Sequence, residues 1–341
     1  MRIAVLCRGS VGEGLGHLYR SFSFAQTAER TAFVRVFAIA DSLFASVFHG
    51  LSHPPAFEAR EEDAINRLVA FAPDVVVTDL VELEDRSFER VRRCCRLLAS
   101  ISPVFRHAAQ TDLFFTRGHP PTGLSGPRVY SGLRYAILNA RCRPIDPDRF
   151  GEAVAAPVLS VMMSFGGADA DNHSRAVLEV LRDIERPLLL WVMLGNGYLH
   201  SQDELAGAVR DNHRHEIIIA RTNRSMWSVA SNCALAILSS GLSTLEAIYA
   251  GLPVISMHRL NDPSREVVTD YDHLCLEGGR FDNDSHLGLK KIVEDLFDDR
   301  QQLLRMRTRQ QGLLDGRGVE RVLDVILEHA HAAVTESAWT A

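Results

Sequence analysis

The sequence has 341 residues, 46% hydrophobic and 23% charged, with a formal net charge of −6. That length can bury a core in each of two domains, and the composition is that of an ordinary globular chain. The acidic balance argues against general nucleic-acid binding, which needs a basic surface, and no apolar run is long enough to span a bilayer. Met1-Arg2-Ile3 leads at once into a strand and a glycine loop, without the regions of a signal peptide. The six cysteines are scattered with no CxxC. They point to a reducing, cytoplasmic setting without structural zinc.

In chain order, Arg2 to Cys7 reads as a buried strand, Gly9 to Gly16 as a glycine loop, and His17 as the opening of a helix. Gly12, Gly14 and Gly16 allow the backbone to turn tightly or lie close to a ligand. A helix start presents free N–H groups and its positive dipole end, so this loop is an anion site in waiting. His17 stands there as a candidate base. The plain alternative is an ordinary strand-to-helix turn with a half-buried histidine.

Further strands are expected near Ala32 to Ile39 and at Asp74 to Asp79, with a helix over Glu61 to Phe71 between them. A helix over Glu84 to Leu98 would enclose the Cys94-Cys95 pair. Short strands at Pro103 to Phe105 and Leu113 to Phe115 would complete a first sheet. Arg117 to Gly132 reads as a long loop and Pro144 to Pro157 as a linker. The pattern then restarts: strand Val158 to Ser164, loop Gly166-Gly167, and a helix capped by Asp171-Asn172. Strands follow at Leu188 to Leu194, Glu216 to Ala220, Leu235 to Leu238 and Pro253 to Met257. The tail from His286 is helical, with a packing helix over Val319 to Ala332. Alternating strands and helices predict an α/β, doubly wound architecture. Two Rossmann-like domains, 1–150 and 151–341, would face a central ligand cleft. The last helix could pack back on the first domain.

Three loops carry the candidate chemistry. They are Gly14-Leu15-Gly16-His17, Ser164-Phe165-Gly166-Gly167-Ala168-Asp169, and Ser239 to Glu246. In the third, Ser243 and Glu246 have capping-box spacing. The other reading puts Ser240, Gly241, Ser243 and Thr244 on a diphosphate and Glu246 on ribose hydroxyls, which a carboxylate can accept in pairs.

Together these loops resemble the UDP-2,4-diacetamido-2,4,6-trideoxy-β-L-altropyranose hydrolase family of pseudaminic acid biosynthesis, in the GT-B glycosyltransferase-like group. The resemblance runs to about residue 270. It rests on Gly14 to His17 with Arg20, Asp79, Gly132 to Leu138, Gly166 to Asp169 with Asn172, Ser240 to Glu246, and Ala250-Gly251-Leu252-Pro253. It implies a GT-B fold with the nucleotide held mainly by the second domain. It also implies attack of water on the anomeric carbon with inversion, releasing UDP, with His17 and Asp79 as catalytic residues. Gly14, Gly16, Arg20, Gly166, Gly167, Asp169, Asn172, Ser240, Gly241, Ser243, Thr244 and Glu246 are then the candidate nucleotide- or substrate-binding residues. The implied partner is a UDP-linked sugar, with no cofactor, metal, nucleic acid or membrane span.

The family's tyrosine after the strand-end aspartate is replaced here by Leu80-Val81-Glu82, and its acidic pair by Arg106-His107. A sugar with extra negative charge, met by Arg106, His107 or Arg117, is one expectation from these departures. The alternatives are a glycosyltransferase using His17 on an acceptor hydroxyl and a non-catalytic nucleotide-sugar binder. A dehydrogenase is more distant, because Gly12-Glu13-Gly14-Leu15-Gly16 is not the dinucleotide fingerprint.

Overall fold

The computed structural model describes residues 1–10, 14–221, 226–258, 273–280 and 285–339, so Gly12 lies outside the described residues. The first sheet is built from β1 (Arg2–Arg8), β2 (Phe33–Ile39), β3 (Ala56–Glu58), β4 (Val75–Asp79), β5 (Leu97–Ser100), β6 (Leu113–Thr116) and β7 (Arg128–Ser131). Its order is β3-β2-β1-β4-β5-β6-β7, and its pairings are parallel. The second sheet contains β8 (Leu159–Ser164), β9 (Leu188–Leu194), β10 (Glu216–Arg221), β11 (Leu235–Ser239), β12 (Val254–His258) and β13 (Leu276–Arg280). Its order is β10-β9-β8-β11-β12-β13, again parallel.

Helices cover both faces of the first sheet, which explains the unbroken apolar runs in its strands. One face packs on α1 (Gly16–Ala28), where Leu18 and Phe22 are buried against Val5 and Val77. Each such side chain stabilises by about 1.5–3 kcal/mol. The other face packs on α2 (Glu61–Phe71) and α3 (Asp85–Arg93), through residues such as Ile65, Leu68 and Val91. The second sheet carries α4 (Pro147–Ala155), α5 (His173–Leu181), α6 (Gln202–Asp211), α7 (Trp227–Ala230), α8 (Leu242–Ala250), α9 (Ser285–Asp298) and α10 (Gln301–Gln310). The last helix, α11 (Gly318–Trp339), places Val322, Leu323 and Ile326 in the core of the first sheet.

Several local expectations are corrected. The helix over Glu84 to Leu98 stops at Arg93, and Leu97-Leu98 begin β5. An arginine-rich outer face ran into an apolar pair, and the helical spacing hid the change. Consequently Pro103 to Phe105 is not a strand, since β5 already occupies that place in the sheet. The expected linker contains α4, with Asp146 accepting from the Asp148 and Arg149 amides and Pro147 in the first turn. The expected cap at Asp171-Asn172 is made instead by Asp169, whose oxygens accept the His173 and Ser174 amides at 2.8 and 3.0 Å.

In each sheet the strand order reverses at one point, between β1 and β4 and between β8 and β11. Ligands of open α/β sheets bind outside the carboxyl ends of the strands at such points. The three sequence loops follow β1, β8 and β11, and Asp79 ends β4 opposite Cys7 of β1. No described helix is long and apolar enough to cross a membrane.

Candidate active site

At the first reversal, His17 and Arg20 lie one turn apart at the start of α1 and both reach Asp79. His17 Nδ1 is 2.7 Å from Asp79 Oδ1, Arg20 Nε donates to Oδ2 at 2.9 Å, and Arg20 Nη2 donates to Oδ1. Ser21 Oγ donates to Oδ2 at 3.4 Å. Asp79 is wholly buried and Arg20 nearly so, while the His17 side chain keeps 18% of its surface exposed.

Burial alone pushes the Asp79 pKa up, but the charges of Arg20 and His17 and their hydrogen bonds outweigh it and hold the carboxyl below its usual range. An ionised carboxylate only accepts hydrogen bonds, so toward Asp79 the ring presents Nδ1–H, the tautomer whose neutral form carries its lone pair on Nε2. Beneath the pair, the buried Cys7 thiol is pushed well above its ordinary pKa by burial and by the Asp79 charge.

Next to this group lies a cavity of 170 Å³, lined from the first sheet's side by Gly16, Tyr19, Ser46 and Val47 and from the second by Ser164, Gly166, Gly167, Trp227, Ser243 and Glu246 among others. The starts of α1 and α8 both contribute to its wall. Gly166 adopts φ 86°, a left-handed conformation that favours glycine. Gly167 has no room for a side chain: a Cβ there would lie 2.5–2.8 Å from Leu15 atoms. The loop after β8 therefore rests directly on the loop after β1.

Glu246 does not form the capping box. The N-cap of α8 is Gly241, and no side chain caps that helix. Instead, Glu246 Oε1 accepts the Asn139 amide at 2.9 Å and Oε2 accepts the Trp227 indole N–H at 3.1 Å. Burial pushes its pKa up to about 7, against the opposing effect of those two donors. A carboxylate with two donors satisfied still has two lone-pair positions open to hydroxyls.

Of the sequence candidates, Gly16, Gly166, Gly167, Ser243 and Glu246 line the cavity. His17, Asp79 and Arg20 form the adjoining network, and Gly14 bonds back to Ser10 at the base of the loop. The Asn172 side chain accepts from the Tyr198 hydroxyl at 2.8 Å, and Asp169 caps α5. Thr244 is fully buried, its hydroxyl donating to the Ser239 carbonyl. The Ser240 amide donates to the Met257 carbonyl, and Ser240 and Gly241 lie outside the cavity lining.

Sequence reasoning passed over Tyr19, Asn139, Arg141 and Trp227, which also line the cavity. Asn139 and Arg141 directly follow the Gly132 to Leu138 stretch, the one signal that could have found them.

The basic residues expected to meet extra charge, Arg106, His107 and Arg117, do not line this 170 Å³ cavity. Arg106 pairs with Asp85 at 3.1 Å. His107 is buried, stacked on Phe88 at 4.2 Å, with Nε2 2.9 Å from the Leu83 carbonyl. Arg117 is buried beside Arg20 and Tyr135. A second, larger cavity of 750 Å³ lies at the carboxyl edge of the first sheet, with Arg8, Asp41, Glu61, Glu82, Glu84 and Arg106 on its walls.

No protein-family model matches the chain. A curated relative, an uncharacterized protein of Methanocaldococcus jannaschii, is 23% identical over 299 residues, covering 80% of this chain. The chain spans about 58% of that relative's length. Among solved structures, MurG of Acinetobacter baumannii aligns with TM-score 0.62 at 13% identity, over 96% of this chain and 100% of that one. HepE of Anabaena, solved with UDP and glucose, aligns with TM-score 0.58 at 14% identity over 97% and 100%. A putative UDP-N-acetylglucosamine 2-epimerase from Listeria monocytogenes aligns with TM-score 0.62 at 14% identity over 97% and 98%. The architecture is accordingly α/β and GT-B-like, with the two parallel sheets described above.

Proposed function

We propose that this chain is an enzyme acting on a nucleotide-linked sugar, and that it is an inverting hydrolase. The observation that carries this reading is the pairing of His17 with a buried, ionised Asp79, one residue beyond Gly16 in the cavity wall. The cavity offers helix-start amides for phosphate at one part and the Glu246 carboxylate for ribose hydroxyls at another. His17 Nε2 takes a proton from water as its oxygen bonds the anomeric carbon. The bond from that carbon to the diphosphate oxygen breaks, and UDP leaves with the electron pair. UDP is a good leaving group, so positioning and charge stabilisation are the protein's main tasks. Two of the fold neighbours, HepE solved with UDP and the putative UDP-N-acetylglucosamine 2-epimerase, and the sequence resemblance to the pseudaminic acid hydrolase family support a UDP-linked donor.

A glycosyltransferase is the second reading. The observation favouring it is the 750 Å³ cavity on the first sheet's edge, which has room for an acceptor. Incubating the chain with UDP-sugars and no acceptor separates the two. Stoichiometric release of UDP and free sugar is expected for the hydrolase. Release that begins only when an acceptor is added would overturn hydrolysis in favour of transfer.

A further inference from the structure

The loop after β8, residues 165–172, is held in a strained form. Among the described residues, Ala72, Asp169 and Asn172 are the non-glycine residues with positive φ, and two of the three lie in this loop. Asp169 has φ 47° and Asn172 φ 55°. An L-residue enters this left-handed region against its own Cβ, and it stays where the surroundings hold it. Asp169 is held by its own side chain, which caps α5. The Asn172 side chain makes no cap bond, so what fixes it comes from outside the loop.

It comes from the loop after β9, residues 195–201, which grips the first loop at three points. The Gly197 amide donates to the Gly167 carbonyl at 2.9 Å, and His200 Nε2 donates to the Asp169 carbonyl at 2.7 Å. The Tyr198 hydroxyl donates to Asn172 Oδ1 at 2.8 Å. No space separates the two loops, since a Cβ on Gly195 would collide with Gly167. Tyr198 is itself fixed. It is fully buried, its ring meets the His200 ring edge-on at 5.2 Å, and its carbonyl accepts from Arg221 of β10 at 3.0 Å. Both loops end in the wall of the 170 Å³ cavity, the first through Gly166 and Gly167, the second through Gly195 and Asn196.

We infer that Tyr198 is a positioning residue for the cavity: by holding Asn172 in its left-handed form, its hydroxyl sets where Gly166 and Gly167 stand in the wall. Tyr198 does not line the cavity and acts through the Asn172 backbone. The inference goes beyond the proposed function and rests on its nucleotide reading for the ligand that reports on the wall. Because the wall is set before the ligand arrives, the effect appears in affinity.

The test is equilibrium titration with UDP of wild type, Tyr198→Phe, Tyr198→Phe/Asn172→Gly and Tyr198→Phe/Asn172→Ala. A urea unfolding curve for each ensures that folded chain is titrated. Tyr198→Phe loses one hydrogen bond and binds UDP roughly 3- to 10-fold more weakly. Glycine takes φ 55° freely and needs no hydroxyl to stay there, so adding Asn172→Gly restores affinity to within about twofold. Adding Asn172→Ala restores nothing, because alanine resists that conformation. Unchanged UDP affinity in Tyr198→Phe, whatever its urea midpoint, would reduce the hydroxyl to a structural role and overturn the inference. A loss that Asn172→Gly leaves in place, or that Asn172→Ala repairs equally well, would overturn it too, by removing the route through Asn172. A wild-type chain that does not bind UDP would overturn the nucleotide reading and the inference with it.

Discussion

Asp79→Asn is the substitution that separates the two roles of the buried network. The side chain keeps its shape but loses its charge, leaving the Arg20 guanidinium buried beside a neutral amide. Removing one partner of a buried ion pair costs about 3–5 kcal/mol, because the other charge remains uncompensated. The new amide also turns an N–H group toward Arg20 or His17, where only acceptors fit. If it faces His17 Nδ1, the ring must accept there and carry its proton on Nε2, which removes the lone pair proposed to act on water.

The expected outcome is an unfolding free energy, from urea titration at pH 7.5, lowered by that amount and a catalytic rate lowered roughly 10²- to 10⁴-fold. The pH dependence has a definite sign. The Asp79 pKa is depressed in the folded chain, so its contribution is present above the unfolded carboxylate range, near about 3.9, and is lost as pH falls through the lower folded value. Asp79→Asn removes that acid limb. A variant within about 1 kcal/mol of wild type, with an unaltered acid limb and rate, would refute the reasoning.

Glu246 predicts the opposite slope. Its pKa is raised from 4.5 to about 7, so the folded chain retains a proton across that window and stability falls as pH rises through it, by about 3 kcal/mol in total. Glu246→Gln should flatten this part of the curve in urea titrations at pH 5 and 7.5, and an unchanged slope would contradict the assigned burial. Gly167→Ala places a Cβ against Leu15, at an expected cost of about 1–3 kcal/mol and with weaker UDP binding. Adding Leu15→Ala should restore part of both, and additive losses in a double-mutant cycle would show that the two loops do not press on each other.

The parts of the fold that were legible were those with a local cause. Unbroken apolar runs such as Val75-Val76-Val77 marked buried parallel strands, and the glycine loops after β1 and β8 marked the opening of each half, where the structure places the reversals of strand order. Short or exposed strands gave no such signal. β3 has three residues, and β7, with the exposed Arg128 and Val129, lies in a stretch rich in glycine and proline. Within the site, His17 and Asp79 were readable as single residues, each at the end of an element. Their meeting across 62 positions depends on β1 and β4 being neighbours. Glu246 was readable as either a cap or a ligand group. Its partner Asn139, 107 positions away, decides against the cap through a tertiary contact that no local spacing encodes. Asp169 shows the reverse case: a ligand candidate by motif, it is a helix cap by geometry.

The central claim is that His17, oriented by Asp79, activates water at a bound nucleotide-sugar. It is tested most directly by following UDP release from a panel of UDP-sugars, without acceptor, for wild type and His17→Ala at matched UDP affinity. The account predicts steady release by wild type and a loss of roughly 10²- to 10⁴-fold in the variant, with UDP binding retained. Release that is equally fast in His17→Ala would contradict it.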